Sequence, residues 1–517
     1  MRYPILLLSC LIFFGCSVEK KEVVNLLECV PQNTLAALQV NDQNMLRSAL
    51  SNLPFIEPIF ELNDDFYKEI KAVLPESFAP NALLCITPEG KAALAASFIY
   101  KASPTDSLSQ LDNSKESFTY NSIPVQVEEE GTLKIFKARV KDIYLISSSR
   151  LVLENSIRNI QDQKKGIQDN RFFQLADVSD PNAPLNLYLH HGIRELMDRF
   201  FPKTELFPFL GSTWFSFDFN TKKDPFTLDG VSFINDSIPD KLTFLKGLEP
   251  QTLLSPDYVP QSFDSYLALA VSDYKSLETN FKKYSRYKNI ALAEINFDAL
   301  SGVDEIAWLK TKLNKALYFH ITNSDAIPPI LFSDQTPEDS YRGISISQVT
   351  FPKDLLYFLE AFGAAFNPNY VALIEDFLIY SQDIAYLKQL IGSYLDGNTL
   401  ANNFNFKSLQ EDLADRSTFL WVGNTANLKN QWKENLPEKE AEWDSVKLKQ
   451  YPLVALQGIA EASFVQSRFT AQRDNPKQQK NSVVSQYSFT LDAPLARAPQ
   501  WIKNHRNKTQ DVVVQDI

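Results

Sequence analysis

The sequence predicts an α+β protein made by tandem duplication of two related modules of about 230 residues, each an antiparallel sheet with packed helices. Three observations carry the prediction. A strand–turn–helix unit at Val30–Leu50 returns near Val259. Two further strand–helix units recur in the same order at nearly constant spacing. Glycine is scarce, 15 in 517 residues, while Phe (37) and Tyr (20) are plentiful, which favours regular α and β elements over glycine-rich turn arrays.

The first unit runs as a strand from Thr34 to Val40, a polar turn at Asn41–Asp42, and a short helix. Met45, Leu46, Ala49 and Leu50 give that helix one apolar face, and Asn41 or Asp42 can cap it. Its counterpart pairs Val259-Pro-Gln261 with Val30-Pro-Gln32. Val271 follows Val40 by 231 positions, and a helix through Leu277 and Tyr284 follows in turn. In the second unit, Asp142–Ser147 and a helix through Ile157 match Asp376–Ser381 and a helix through Ile391, 234 positions later. The third pair is Leu187–Leu189 against Phe419–Trp421, with Phe172 and Phe404 as aromatic lead-ins. Three collinear matches point to duplication.

Other elements fall between these landmarks. A helix is expected near Asp65–Leu74, with strands at Leu83–Thr87, Ala93–Tyr100 and Tyr120–Val127. Glu128-Glu129-Glu130-Gly131 reads as a solvated hairpin tip. Phe215, Phe217 and Phe219 alternate on one face, and Phe226–Phe233 returns as the partner strand. Tyr341–Phe351 is the second-copy counterpart of the Tyr120 strand. About 13 extra residues then follow, including an amphipathic helix from Asp354. On it Leu355, Phe358, Leu359, Phe362 and Phe366 share one face, which suits either a core or a groove for a partner.

The resulting division is 1–15 signal peptide, 16–25 tether, 26–248 first module, 249–491 second module, and 492–517 linker plus an orphan strand at Asp511–Ile517. The signal assignment rests on Arg2 followed by an apolar run from Ile5 to Phe14, too short to span a bilayer as a mature helix. The run ends at Gly15-Cys16, which resembles the bacterial lipoprotein box, although Phe13 and Phe14 depart from its usual residues. That resemblance implies acylation (palmitate) of Cys16 and anchoring in the cell envelope. The outer membrane is the expected site, on its periplasmic or surface face. Each buried acyl methylene adds roughly 0.8 kcal/mol to anchoring.

Cys29 and Cys85 remain in the mature chain, an even pair in an exported protein, so a disulfide between them is expected alongside the alternative of two small buried hydrophobes. Asp106-Ser107-Leu108, Asp236-Ser237-Ile238 and Asp444-Ser445-Val446 resemble an O-glycosylation pattern of some Gram-negative lipoproteins. The implied sites are Ser107, Ser237 and Ser445.

The Val30-Pro-Gln-Asn-Thr34 opening, the Asp142–Ile146 strand with its helix, and Asn170–Phe173 before Leu187–Leu189 resemble a family of uncharacterised bacterial exported proteins. Those carry a domain of unknown function built of repeated strand–helix units. The resemblance covers most of residues 26–490. Some lipoprotein relatives continue past the Gln500–His505 stretch into a β-propeller-like domain, and this sequence stops where that would begin. The family supplies no catalytic residues.

Net charge is −12, with 51 Lys and Arg against 63 Asp and Glu, so nucleic-acid binding is not expected. His190 and His191 are adjacent on a strand and would face opposite sides. With His320 and His505 they make up the four histidines, and no metal or cofactor is expected. No His-Glu-x-x-His, Gly-x-Ser-x-Gly or phosphate-cradling glycine loop occurs. The expected function is a non-catalytic envelope lipoprotein that binds or scaffolds an envelope protein, lipid or glycan. A hydrophobic-ligand carrier, or an envelope hydrolase using paired carboxylates, are the alternatives.

Overall fold

A computed structural model describes residues 25–45, 64–90, 93–102, 116–131, 133–193, 213–219, 226–290, 297–322, 327, 331–332, 338–361, 366–427, 429–430, 450–474, 497, 499–503 and 510–515. Contacts group these into two compact units, one within 1–43 and 68–173, the other within 44–67 and 174–517. The fold is mixed α and β with antiparallel sheet. The expected module boundary at 248/249 falls inside the second unit.

The first unit holds β1 (Ala36–Val40), β2 (Ala82–Glu89), β3 (Ala93–Lys101), β4 (Ser117–Tyr120), β5 (Ile123–Glu130), β6 (Leu133–Val140) and β7 (Ile143–Ser147). They lie in the order β1-β2-β3-β7-β6-β5-β4, every pair antiparallel. Helix α1 (Asp64–Val73) precedes β2, and α2 (Arg150–Gln161) follows β7. Ser149 caps α2 by accepting from the Val152 N–H, and its own hydroxyl donates to Glu89 at 2.7 Å. Val152, Leu153, Ile157 and Ile160 are the buried face of α2. Helix α3 (Asn170–Val178) follows, so the aromatic lead-in Phe172 lies on a helix, fully buried.

The sheet of the second unit contains β8 (Leu185–His190), β9 (Trp214–Phe219), β10 (Phe226–Phe233), β11 (Ser265–Ala270), β12 (Val303–Lys310), β13 (Lys315–Ile321) and β14 (Asp339–Tyr341). It continues with β15 (Ile344–Gln348), β16 (Tyr370–Ile374), β17 (Phe377–Ser381), β18 (Phe419–Asn424), β19 (Leu453–Ala460) and β20 (Phe464–Ala471). The order is β8-β9-β10-β20-β19-β18-β11-β12-β13-β17-β16-β15-β14, antiparallel throughout. Its far end repeats the first unit's strand order with ten added to each strand number. β10 and β20 meet across a long sequence gap, Phe226 opposite Ala471 and Phe233 opposite Phe464.

Both faces of this sheet are covered, because successive side chains point to opposite sides. On one face Leu267 and Leu269 of β11 join Leu277 and Phe281 of α4 (Tyr274–Tyr287) and Leu355, Phe358 and Leu359 of α5 (Lys353–Ala361). On the other, Tyr266 and Ala268 join Leu387, Leu390 and Ile391 of α6 (Ile384–Leu395) and Phe406 and Leu409 of α7 (Phe404–Gln410).

Three expectations are corrected here. The strand read at Tyr120–Val127 is two strands, with Asn121 and Ser122 turning at φ +45° and +65°. The strand read at Tyr341–Phe351 breaks the same way at Arg342 and Gly343, at φ +51° and +87°, and ends at Gln348. Two central residues with positive φ give the two-residue hairpin turn that matches strand twist. The tail strand is not an orphan: β22 (Gln510–Val513) pairs with β21 (Gln500–Lys503), Trp501 opposite Val512. The basic stretch read as linker therefore contributes a strand, since a strand needs a partner for its backbone groups.

Candidate functional site

The residue types that could do chemistry gather in the second unit, around β12. A β-bulge at Val303/Glu305 shifts register so that Asp304 and Glu305 reach different partners. Glu305 accepts from the Leu254 N–H at 2.6 Å and the Ser255 N–H at 3.1 Å, and the Ser255 hydroxyl donates to it as well. The Ser255 hydroxyl also lies 2.5 Å from the Tyr266 hydroxyl. Burial pushes the Glu305 carboxyl above its ordinary value, against the pull of its three donors. Burial and the nearby Glu305 charge likewise push the Tyr266 hydroxyl up.

Asp304 instead bonds His320 Nδ1 at 2.5 Å, from the strand opposite. That bond holds the half-buried imidazole above its usual value, although burial opposes it. Nearby, Tyr258 donates to Glu375 at 2.8 Å and stacks on Tyr394 with ring centroids 4.9 Å apart. Those phenols hold the Glu375 carboxyl below its ordinary value.

Serine, histidine and carboxylates thus lie close together without forming a triad. The histidine bonds Asp304, while the serine bonds Glu305 and Tyr266. Ser255 is 0% exposed and Glu305 3% exposed, so no substrate reaches either. Their arrangement fastens the one-turn 3-10 segment Ser255–Asp257 to the sheet, a buried carboxylate capping backbone N–H groups.

A second feature is concave and open. Asn403 caps α7 by accepting from the Asn405 and Phe406 N–H groups at 2.9 and 3.2 Å. Phe406 and Leu409 turn inward. Phe404, Asn405 and Ser408 then border a recess closed by Pro452 at the head of β19 and by Gln472 and Arg473 just past β20. The recess is shallow, with a cavity volume of about 10 Å³, room for about one water molecule. The Arg473 guanidinium sits 5.7 Å over the Tyr451 ring. Gln472 Oε1 is shielded from solvent and has no hydrogen-bond donor.

Of the sites expected from sequence, Cys16, Ser107, Ser445 and Phe362 lie outside the described residues. Ser237 is exposed on the loop after β10, its N–H and that of Ile238 bonded to Asn235 Oδ1. Cys29 and Cys85 are both buried free thiols rather than a disulfide. Burial drives the Cys29 thiol to about 12 and raises Cys85 further. Leu355, Phe358, Leu359 and Phe366 are all buried in the core of the second unit, so this face packs inward and offers no groove to a partner. The His190 and His191 rings touch at a tilt of 52°, with centroids 4.1 Å apart, and His190 lies beside Trp214. Among the described residues no group of three or more His, Cys, Asp or Glu is placed to hold a metal.

Sequence reading missed Glu305, whose signal was a charge inside the apolar run Val303–Leu309. It also missed the recess, whose residues come from three segments of the chain. Among the described residues no helix is long and apolar enough to cross a membrane.

No family model matches the chain, and no curated protein does. A crystal structure of TP0453 (crystal form I) is similar to 45% of this chain over 90% of its own length, with 11% identity and a TM-score of 0.25. A likeness at that level carries no argument about fold or function.

Proposed function

We propose that the chain is a non-catalytic binding or scaffold lipoprotein of the cell envelope, acylated at Cys16 and built from two duplicated modules. The observation that carries the non-catalytic reading is the fate of the Ser255 and Glu305 side chains. The residues best suited to acid–base or nucleophilic work are spent on holding one backbone segment, out of reach of substrate.

The duplication is supported by the matching strand orders and by matching turns. Tyr120-Asn-Ser-Ile123 and Tyr341-Arg-Gly-Ile344 both reverse the chain in two residues. Val140–Ile143 and Ile374–Phe377 do the same, with Lys141 and Glu375 at φ +57° and +50°.

Two experiments test the proposal. Metabolic labelling with radioactive palmitate should mark the wild-type chain and not Cys16→Ala. Crosslinking in intact cells should then give one defined complex that the Cys16→Ala form no longer makes. Absence of label, or turnover of a glycan by the purified chain, would sink the reading.

A further inference from the structure

We propose that the C-terminal end of α4 docks on an anionic phospholipid bilayer, with Arg286 and Lys288 on the headgroups and Tyr287 and Ile290 seated at the interface. This goes beyond the lipoprotein reading above and rests on it only for the presence of a bilayer.

The helix end holds these side chains outward. Asn289 takes φ +54°, its N–H donates to the Arg286 carbonyl, and the Ile290 N–H donates to the Ser285 carbonyl at 2.9 Å. This is the left-handed closure of a helix, in which the residue in Ile290's place ordinarily packs back on an apolar side chain of the last turn. Here one of the two positions it would pack on is the buried Ser285. The other is Tyr284, whose ring centroid lies 6.0 Å from Lys288 Nζ. Ile290 is left 36% exposed and Tyr287 46% exposed, with Lys288 Nζ 5.6 Å from the Tyr287 ring centroid.

Charge selects the partner. The chain as a whole carries −12, but this end is positive. Lys282 pairs with Glu278, while Lys246 and Lys283 share Asp236, each at 2.7 Å. Arg286 and Lys288 have no carboxylate partner among the described residues. Five cations thus stand against two carboxylates. Cations at this end also complement the helix dipole, but an exposed tyrosine and isoleucine beside them do not serve that purpose. Aromatic rings with a polar tip, and basic side chains with an apolar stem, suit a headgroup boundary that is apolar on one side and wet on the other. A soluble acidic protein would satisfy the cations without using either apolar group.

The test is flotation of the full mature chain carrying Cys16→Ala, which has no acyl chains of its own. The vesicles are phosphatidylcholine with about 30% phosphatidylglycerol. At about 1 mM accessible lipid and low salt, roughly half of the chain should float. None should float on phosphatidylcholine alone, and about 0.5 M salt should release what is bound. Arg286→Ala and Lys288→Ala should each weaken binding about fivefold. Lys407→Ala, the same charge change on α7 at the other face of the sheet, should change it less than about twofold. Tyr287→Ser with Ile290→Ser should weaken it about tenfold. All five positions are exposed, and an unchanged thermal melt confirms that each variant folds. No flotation, equal flotation on phosphatidylcholine, or an equal loss from Lys407→Ala would overturn the proposal. So would full binding by the Tyr287→Ser, Ile290→Ser form, which would assign the patch to a soluble acidic partner. If flotation fails while Cys16 takes palmitate, only the docking surface falls. If the label is absent as well, the envelope reading falls with it.

Discussion

Phe419 on β18 lies directly across from Gly458 on β19, so close that a Cβ on the glycine would sit 1.9 Å from the ring. The missing side chain is the space the ring occupies. The pair Phe217 and Gly230 repeats the device between β9 and β10, at 2.5 Å. Gly458→Ala should therefore destabilise the second unit by about 1–3 kcal/mol through overpacking. Urea melts read this, and a loss near zero would mean the ring moves aside freely.

Glu305 holds two backbone N–H groups and a hydroxyl in a dry site. Glu305→Ala leaves those donors unpaired and should cost about 2–5 kcal/mol. Glu305→Gln keeps an acceptor and should cost less. Equal losses in the two variants would show that an amide of the same size cannot stand in for the carboxylate, so that its charge or second acceptor oxygen carries the bonding.

Stability of the second unit should rise on mild acidification. His320 titrates higher in the folded chain than its ordinary 6.5. Its contribution is full below that value and is lost as pH climbs through the raised one. Glu305 also titrates above its ordinary 4.5. The folded state then holds a proton that the unfolded state has released, so stability falls with rising pH across that interval too. The charged groups around the imidazole are Asp304, Glu305 and Asp376. Melting midpoints from pH 5 to pH 8 should decline, and His320→Asn should flatten the upper part of the slope. A wild-type profile that rises toward pH 8 would contradict this.

Cys29 and Cys85 should remain thiols. A Cys16→Ala form without its signal should release two equivalents of thiol in denaturant and react very slowly when folded, because burial suppresses the thiolate. Zero thiols in denaturant would restore the disulfide.

Much of the fold was readable from the chain. The Asp142–Ser147 and Asp376–Ser381 strands, with their helices, form at nearly the expected bounds because apolar runs and the caps Ser149 and Asp383 are local signals. The hairpins at Asn121–Ser122 and Arg342–Gly343 were read through because alternation continues across a two-residue turn. The tail hairpin was missed because the charge around Lys503 hides a short strand. The sites were the least legible. Asp304, Glu305 and His320 meet through a bulge and a cross-strand register, and no single stretch of sequence records either. The recess joins Asn405 to Gln472, 67 positions apart, and only the packing of α7 on the sheet brings them together.

The seam between β10 and β20 sets a clock. Asp229 finds Arg468 only after 239 further positions have been made. At about 5–20 residues per second, synthesis needs roughly 12–50 s to supply the partner strand. Until then β10 has one long edge bare, and such distant pairings close late and slowly. The chain stays open for the whole of that interval. For a polypeptide threaded through an export channel before it folds, this delay works as an advantage, and for one retained inside the cell it would be a period of exposure to aggregation.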